Sequence, residues 1–317
     1  MKSLIYSFIV PIYNDGYLVS AFCKEFEKVF KVYLKSSFIE KEVELIFIND
    51  GSTDNSFDLL QESAKFHKFI KVINLSRNFS QHIAILCGYK HASGSIIGRL
   101  NVDMQDPPDQ IPVFLDKINQ DSDIDMVIGL LDKRTNKISD LITSKIFFLF
   151  FNFLQGSTIP SNTSPLRVMR KNYVESIIST NDKTPFLQGL ESWAGFNVSY
   201  VKTRQNKRCD NHSSYTFLLR LKLAFNAAIC YSDKPLKIVT FIGLFISSLS
   251  LFGILFLISL KLARPDIQQG YISTLIIICF FAGFQIFATG LCGIYIGKIL
   301  VHVQNRPLYL IKDKINF

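Results

Sequence analysis

The segment Arg99-Leu-Asn-Val-Asp-Met-Gln-Asp-Pro-Pro108 follows a short β-branched run, Ser95-Ile-Ile97, and stops at a proline pair. Neither a central strand nor a helix interior accommodates Pro-Pro, so the segment is expected to be a strand end breaking into a loop. In extended backbone, residues two apart point the same way, which would set Asn101, Asp103 and Gln105 on one side as three oxygen-bearing groups. Hard divalent cations, Mg²⁺ or Mn²⁺, take such ligands and complete their shells with substrate phosphates. A polar loop that merely carries an Asp satisfies the same pattern.

Working outward, the chain before this segment alternates apolar strand-like runs with helical periodicity. A buried run at 6–12 enters a polar turn, and a helical pattern at 18–34 places Phe22, Phe26, Val29, Phe30 and Tyr33 on one face. A second run at 43–48 leads into Asn49-Asp-Gly-Ser-Thr-Asp54, whose last residue is placed to cap a helix over 57–66. A third strand at 70–75 passes through Ser76-Arg-Asn-Phe-Ser-Gln-His82 to a helix ending near Gly94. This order predicts an α/β fold with a mostly parallel sheet, in which ligands collect at the carboxyl ends of the strands. Asp15, Asp50 and Asp103 lie at such ends. A carboxylate there can accept hydrogen bonds from a ribose hydroxyl or a base N–H; for Asp50 a plain Asp-Gly turn is equally consistent with the residues.

The 317 residues carry a net charge of +9 and six scattered cysteines without a C-x-x-C pair, which suits reduced thiols rather than a disulfide framework or zinc site. The basic residues flank apolar segments instead of forming a stripe with aromatic stacking positions, which disfavours nucleic acid as partner. Arg134, Lys137 and Lys145 accompany a phenylalanine-rich stretch at 138–154, too short to span a bilayer and suited to the headgroup layer. A second amphipathic stretch at 215–235 precedes two uncharged runs, 238–260 and 272–297, each long enough for a transmembrane helix. Lysine and arginine cluster outside this pair, so the positive-inside rule leaves both termini in the cytoplasm of a multi-pass cell-membrane protein. The expected division is a catalytic domain over 1–214, a juxtamembrane segment over 215–235, and a membrane hairpin with a cytoplasmic tail over 236–317.

Four ordered motifs, Pro11-Ile-Tyr-Asn-Asp15, Ile48-Asn-Asp-Gly-Ser-Thr-Asp54, Leu75-Ser-Arg-Asn-Phe79 and Val102-Asp-Met-Gln-Asp-Pro-Pro108, resemble the family 2 inverting glycosyltransferases of the GT-A fold. Within these the chain is most similar to the polyprenyl-phosphate glycosyltransferases, over roughly residues 5–235 and into the membrane segments. The resemblance implies transfer of a sugar from a nucleotide-sugar donor to a membrane polyprenyl phosphate, feeding cell-surface glycan synthesis, with a homo-oligomer plausible. It implies that Pro11, Tyr13, Asp15, Asp50, Asn101 and Asp103 border the donor, and that Asp103, Gln105 and Asn101 hold the metal. Arg167 sits where the family carries an Arg, and Trp193-Ala-Gly-Phe196, Arg204, Arg208 and Ser213-Ser-Tyr215 match its later Trp-x-Gly and arginine-rich loop. Asp103, Arg134, Arg167 and Arg204 are therefore the expected catalytic set, and Arg134, Lys137, Arg204, Arg208 and Ser214 the acceptor-phosphate set, since converging arginines bind phosphate well.

The chain also departs from the family. Asp-x-Asp appears as Asn101-Val-Asp103, Gly-x-Arg as Gly129-Leu-Leu131, and an Asp before the Leu-Arg pair as Pro165. These departures raise an alternative, a membrane scaffold that binds a nucleotide sugar without transferring it. A processive polysaccharide synthase is a further alternative, disfavoured because Leu190-Glu-Ser precedes Trp193 where a Q-x-x-R-W motif would stand.

Overall fold

The computed structural model describes residues 5–36, 39–131, 162–206, 234–263 and 270–317. The described residues fall into two compact units. One takes those up to 206 together with Pro307–Phe317, and the other those from 234 to Arg306.

The first unit is built on an eight-stranded sheet. In chain order its elements are β1 (Tyr6–Ile12), α1 (Val19–Tyr33), β2 (Val43–Asn49), α2 (Ser56–Phe66), β3 (Ile70–Leu75), α3 (Gln81–His91) and β4 (Ile96–Arg99). After them come α4 (Ile111–Gln120), β5 (Met126–Leu131), β6 (Thr163–Arg170), α5 (Lys171–Ser179), α6 (Leu187–Trp193) and β7 (Val198–Thr203). The sheet order is β7-β5-β6-β4-β1-β2-β3-β8, where β8 (Ile311–Ile315) comes from the C-terminus. Strands β4, β1, β2 and β3 run parallel, and β5 pairs parallel with β7. The fold is thus α/β with a mostly parallel sheet, as the alternation of runs predicts. β1 and β2 read as near-continuous apolar stretches because helices cover the sheet, and every residue of β2 is buried.

Helix α1 turns Phe22, Phe26 and Phe30 inward, where they meet Phe8, Phe47 and Phe69 with ring centroids 5.3–6.3 Å apart. This aromatic wedge fixes the amino-terminal half of the sheet and therefore the height at which β1 and β2 end. The expected 18–34 and 57–66 helices occur as α1 and α2, and Asp54 does bind the start of α2, accepting from the Ser56 amide at 3.0 Å.

Two strands depart from the parallel pattern. β6 runs antiparallel to both β4 and β5. β8 adds antiparallel to β3, pairing Val72 with Ile315, Ile73 with Lys314, Asn74 with Asp313 and Leu75 with Ile311. The tail after the expected hairpin, for which no strand was expected, forms the edge strand of this sheet. Its docking is reinforced by the Ser76 amide on the Leu310 carbonyl at 2.9 Å and by Asn316, whose amide donates to the Ala64 and Ile70 carbonyls, each at 2.9 Å.

In the second unit, α7 (Lys234–Ala263) and α8 (Tyr271–Gln304) contain the two runs expected to span. Helix α8 continues past the expected end at 297 and stops at Asn305, which takes the left-handed conformation that closes helices. Among the described residues one stretch, Phe280–Gln304, meets the length and hydropathy needed to cross a membrane. The expected interfacial helix at 138–154, and all of the 215–235 segment before Lys234, lie outside the described residues.

Candidate active site

The loops leaving β1, β2, β3 and β4 meet at the carboxyl edge of the sheet and are bonded to one another. Asn14, at φ +58°, donates its amide to Ser52 Oγ at 3.0 Å, and its side-chain oxygen accepts from the Thr53 amide at 2.9 Å. The Gly16 amide reaches Ser56 Oγ at 2.8 Å. A β-carbon on Gly16 would lie 2.4 Å from the Ser56 Cα, so this contact requires glycine. Tyr13 stands 45% exposed above this junction, with Pro11 and Asp15 half-buried beside it.

Asp50 behaves differently from a carboxylate open to a ligand. It is only 2% exposed, and its two oxygens accept from the Phe79 and Ser80 amides at 2.8 and 3.0 Å. Burial raises its pKa, while the two amides, with the Arg77 charge, act to lower it. Its observed role is to fasten the 76–80 loop to the end of β2. Gly51 completes the junction at φ +67°, where a β-carbon would fall 2.2 Å from the Arg77 carbonyl carbon.

The 99–108 segment also corrects an expectation. Strand β4 stops at Arg99, the chain turns at Val102 and Asp103, and Met104 takes φ +57°. The alternation that would align Asn101, Asp103 and Gln105 therefore does not hold, because hydrogen bonds local to the turn replace the strand. Asp103 accepts from the Gln105 amide at 3.2 Å, and Asn101 Oδ1 accepts from Gln81 Nε2 at 3.0 Å. All three side chains stay half-buried on one turn. Among the described residues no three His, Cys, Asp or Glu side chains converge on a point. A divalent ion here would depend on Asp103, the neighbouring amide oxygens and oxygens of a ligand, an all-oxygen set that fits Mg²⁺ or Mn²⁺.

One member of this turn went unassigned in the sequence. Asp106 is buried, accepts from Ser164 Oγ at 2.6 Å through one oxygen, and leaves the other without a partner among the described residues. Burial, opposed by Ser164 and assisted by the Asp103 charge, pushes its pKa up to about 6. That orphaned oxygen adds negative character behind Asp103. The signal available beforehand was a second Asp three positions on, directly before Pro-Pro.

The arginines separate into two environments. Arg204 is exposed at the end of β7 and pairs with Asp109. Its backbone is tied to Gln110 in both directions, amide to Oε1 at 3.0 Å and Nε2 to carbonyl at 2.9 Å. Two residues on, the Asn206 amide donates to the Gln105 carbonyl at 2.9 Å. The loop after β7 is thereby fixed onto the Asp103 turn.

Arg167, by contrast, is 1% exposed. Its guanidinium meets Glu191 at 3.3 Å and the Ser164 and Leu166 carbonyls, while Arg99 meets the other Glu191 oxygen at 2.8 Å. A guanidinium so enclosed contacts protein on all sides, so its place is structural support beneath the site and not contact with substrate. Glu191, read in the sequence only as breaking another motif, is the centre of this cluster. Arg134, Lys137, Arg208 and Ser214 lie outside the described residues.

An α/β sheet whose oxygen-rich loops gather at the carboxyl ends of β1, β2 and β4 is the arrangement of an α/β domain with its ligand site at that edge. The chain belongs to glycosyl transferase family 2, whose family model matches residues 7–178, and it is a glycosyltransferase. A prophage-derived bactoprenol glucosyl transferase from Shigella flexneri is 31% identical over 315 residues, covering 96% of this chain and 97% of that protein. Uncharacterized glycosyltransferases from Bacillus subtilis, YkcC, and from Synechocystis sp. are 29% and 30% identical. They cover 98% and 97% of this chain and 94% of their own lengths in each case.

Proposed function

We propose that this protein transfers a sugar from a nucleotide-sugar donor to a polyprenyl phosphate in the membrane, inverting the anomeric carbon. The observation that carries the reading is the fastening of the Arg204–Asn206 loop to the Asp103 turn, because it brings a basic acceptor-side loop to the place where the donor diphosphate would rest. The bactoprenol acceptor named for relatives covering nearly the whole chain supports the same assignment.

The donor base and ribose would lie against Pro11, Tyr13 and Asp15, on a floor that Asp50 holds rigid. Asp103, with Asn101 and Gln105, would hold Mg²⁺ or Mn²⁺, which when bound supplies charge neutralisation for the departing nucleoside diphosphate. An acceptor phosphate is already ionised at neutral pH, so no strong base is required of the protein. Its oxygen forms the new bond to the anomeric carbon as the bond from that carbon to the diphosphate oxygen breaks, and the nucleoside diphosphate leaves. What remains for the chain is orientation and electrostatic steering of the acceptor by Arg204, with Arg134, Lys137, Arg208 and Ser214 as further candidates. Oriented encounter of this kind lowers barriers by roughly 7–11 kcal/mol in the best intramolecular cases.

The test incubates membranes containing the protein with radiolabelled nucleotide sugars and polyprenyl phosphate, with and without Mn²⁺, and looks for label in lipid. Transfer supports the enzyme; nucleotide binding without transfer across the whole panel supports the scaffold alternative. Asn101→Asp adds a carboxylate to the turn and is expected to lower the Mn²⁺ concentration needed for half-maximal activity several-fold. An unchanged metal response would count against the assigned ligands.

A further inference from the structure

The sheet carries a row of polar side chains where apolar ones would be ordinary. In register across three strands stand Asn49 on β2, Asn74 on β3 and Asp313 on β8. Asn49 and Asn74 are buried, and the three are joined end to end. Asn74 Nδ2 donates to Asp313 Oδ2 at 2.8 Å, and Asn49 Nδ2 donates to Asn74 Oδ1 at 2.9 Å. Asn49 Oδ1 in turn accepts from the Ser52 amide at 3.3 Å and from Ser52 Oγ at 2.5 Å. Ser52 Oγ receives the Asn14 amide, the residue between Tyr13 and Asp15.

This chain of bonds has a direction. An amide side chain can be turned either way, but a carboxylate only accepts. Asp313 therefore obliges Asn74 to present its NH₂, which leaves the Asn74 oxygen for the NH₂ of Asn49. That leaves the Asn49 oxygen for Ser52. Reversing Asn49 would set its NH₂ against the Ser52 N–H, and reversing Asn74 would set its oxygen against the Asp313 carboxylate and its NH₂ against that of Asn49; leaving a buried polar group unsatisfied costs about 1–3 kcal/mol.

We propose that Asp313 is a positioning residue for the donor loops: through Asn74 and Asn49 it fixes the orientation of the Ser52 turn and, beyond it, of the 13–15 loop. The strand that follows the last apolar helix is thus part of the donor site's construction. The effect on donor use rests on the reading given under Proposed function; the effect on the Ser52 turn does not.

The test uses the full-length protein in nanodiscs and the variants Asp313→Ala, Asp313→Asn and the double variant Asn74→Leu with Asp313→Leu. Hydrogen exchange at the Ser52 amide is expected to rise about tenfold or more in Asp313→Ala, with the Ser76 amide, bonded to the Leu310 carbonyl beside β8, still protected. Asp313→Asn, able to accept but equally able to donate, should fall between Asp313→Ala and wild type. For the donor, KM is expected to rise several-fold with kcat changed less than twofold.

If Asp313→Ala releases β8, the double variant decides, since an apolar pair keeps the strand seated while removing the relay; it too should show fast Ser52 exchange. Unchanged Ser52 exchange in a variant whose β8 remains protected overturns the proposal. If wild type binds no nucleotide sugar while Ser52 exchange still responds to Asp313→Ala, the transferase reading fails and the relay stands. If exchange responds while the donor KM does not, the relay stands and its link to the donor is lost.

Discussion

At the scale of single residues, the site is supported by buried charges that composition alone does not flag. Glu191 holds two guanidiniums, Arg99 and Arg167, all three nearly inaccessible to water. Removing the shared partner leaves two uncompensated buried cations, a loss of about 3–5 kcal/mol in comparable cases. Glu191→Ala is therefore expected to lower the melting temperature sharply. Replacing all three by apolar residues of similar volume, Arg99→Met, Arg167→Met and Glu191→Leu, should recover most of it; a Glu191→Ala protein as stable as wild type would refute the cluster's structural role.

His82 gives a pH signature at the same scale. Its Nδ1 lies inside without a partner among the described residues, and burial, aided by the Arg99 charge, lowers its pKa to about 4. Between pH 4 and the ordinary histidine value of about 6.5, the unfolded chain binds a proton here that the folded one refuses, so stability rises with pH across that window. Melting temperature should climb from pH 4 to 6.5, and the part due to this ring should vanish in His82→Gln. A slope identical in the variant would assign the climb to other groups.

At the scale of elements, legibility followed the range of the pairing. β1 to β4 were readable because each is an apolar run bounded by turn residues, and their helices kept a 3.6-residue period. β8, with the sequence Ile311-Lys-Asp-Lys-Ile315, is polar at its three central positions and pairs with a strand more than 230 residues earlier, so nothing local marks it. The reversed β6 hid within a segment valued for its arginine. The carboxylate positions at strand ends were legible, but their directions were not: Asp50 turns inward because two amides of another loop reach it first.

That loop contact carries an element-scale prediction. Gly51→Ala must accommodate both a left-handed backbone and a β-carbon against the Arg77–Asn78 backbone. Backbone strain of this kind costs on the order of 1–3 kcal/mol, and relief requires the 76–80 loop to move off Asp50. The expected result is a loss of stability, with faster exchange of the Phe79 and Ser80 amides as they leave Asp50; unaltered exchange there would dissociate the two loops.

At the scale of the whole molecule, β8 constrains how the chain can thread a bilayer. The sheet is entered by β1 near the N-terminus and left after β7, and the chain rejoins it at β8, beyond α8. A chain that leaves a folded domain and returns to it must cross an intervening membrane an even number of times. If Phe280–Gln304 crosses, a second crossing must precede it, and we propose α7, 30 residues long, for that crossing. A helix of that length extends about 45 Å at 1.5 Å per residue, enough for the roughly 30 Å hydrocarbon core. The counted lysines and arginines argue for the same hairpin from an unrelated principle. Single cysteines placed at positions 2 and 317 of a variant lacking the native thiols should therefore both react with a membrane-impermeant maleimide in inverted vesicles and both stay silent in intact cells. Labelling on opposite sides would mean an odd number of crossings, which the pairing of Asn74 with Asp313 in one sheet does not permit. The two-span arrangement and the tail's place in the donor site would then fail together, since both depend on β8 reaching β3 from the same side of the membrane.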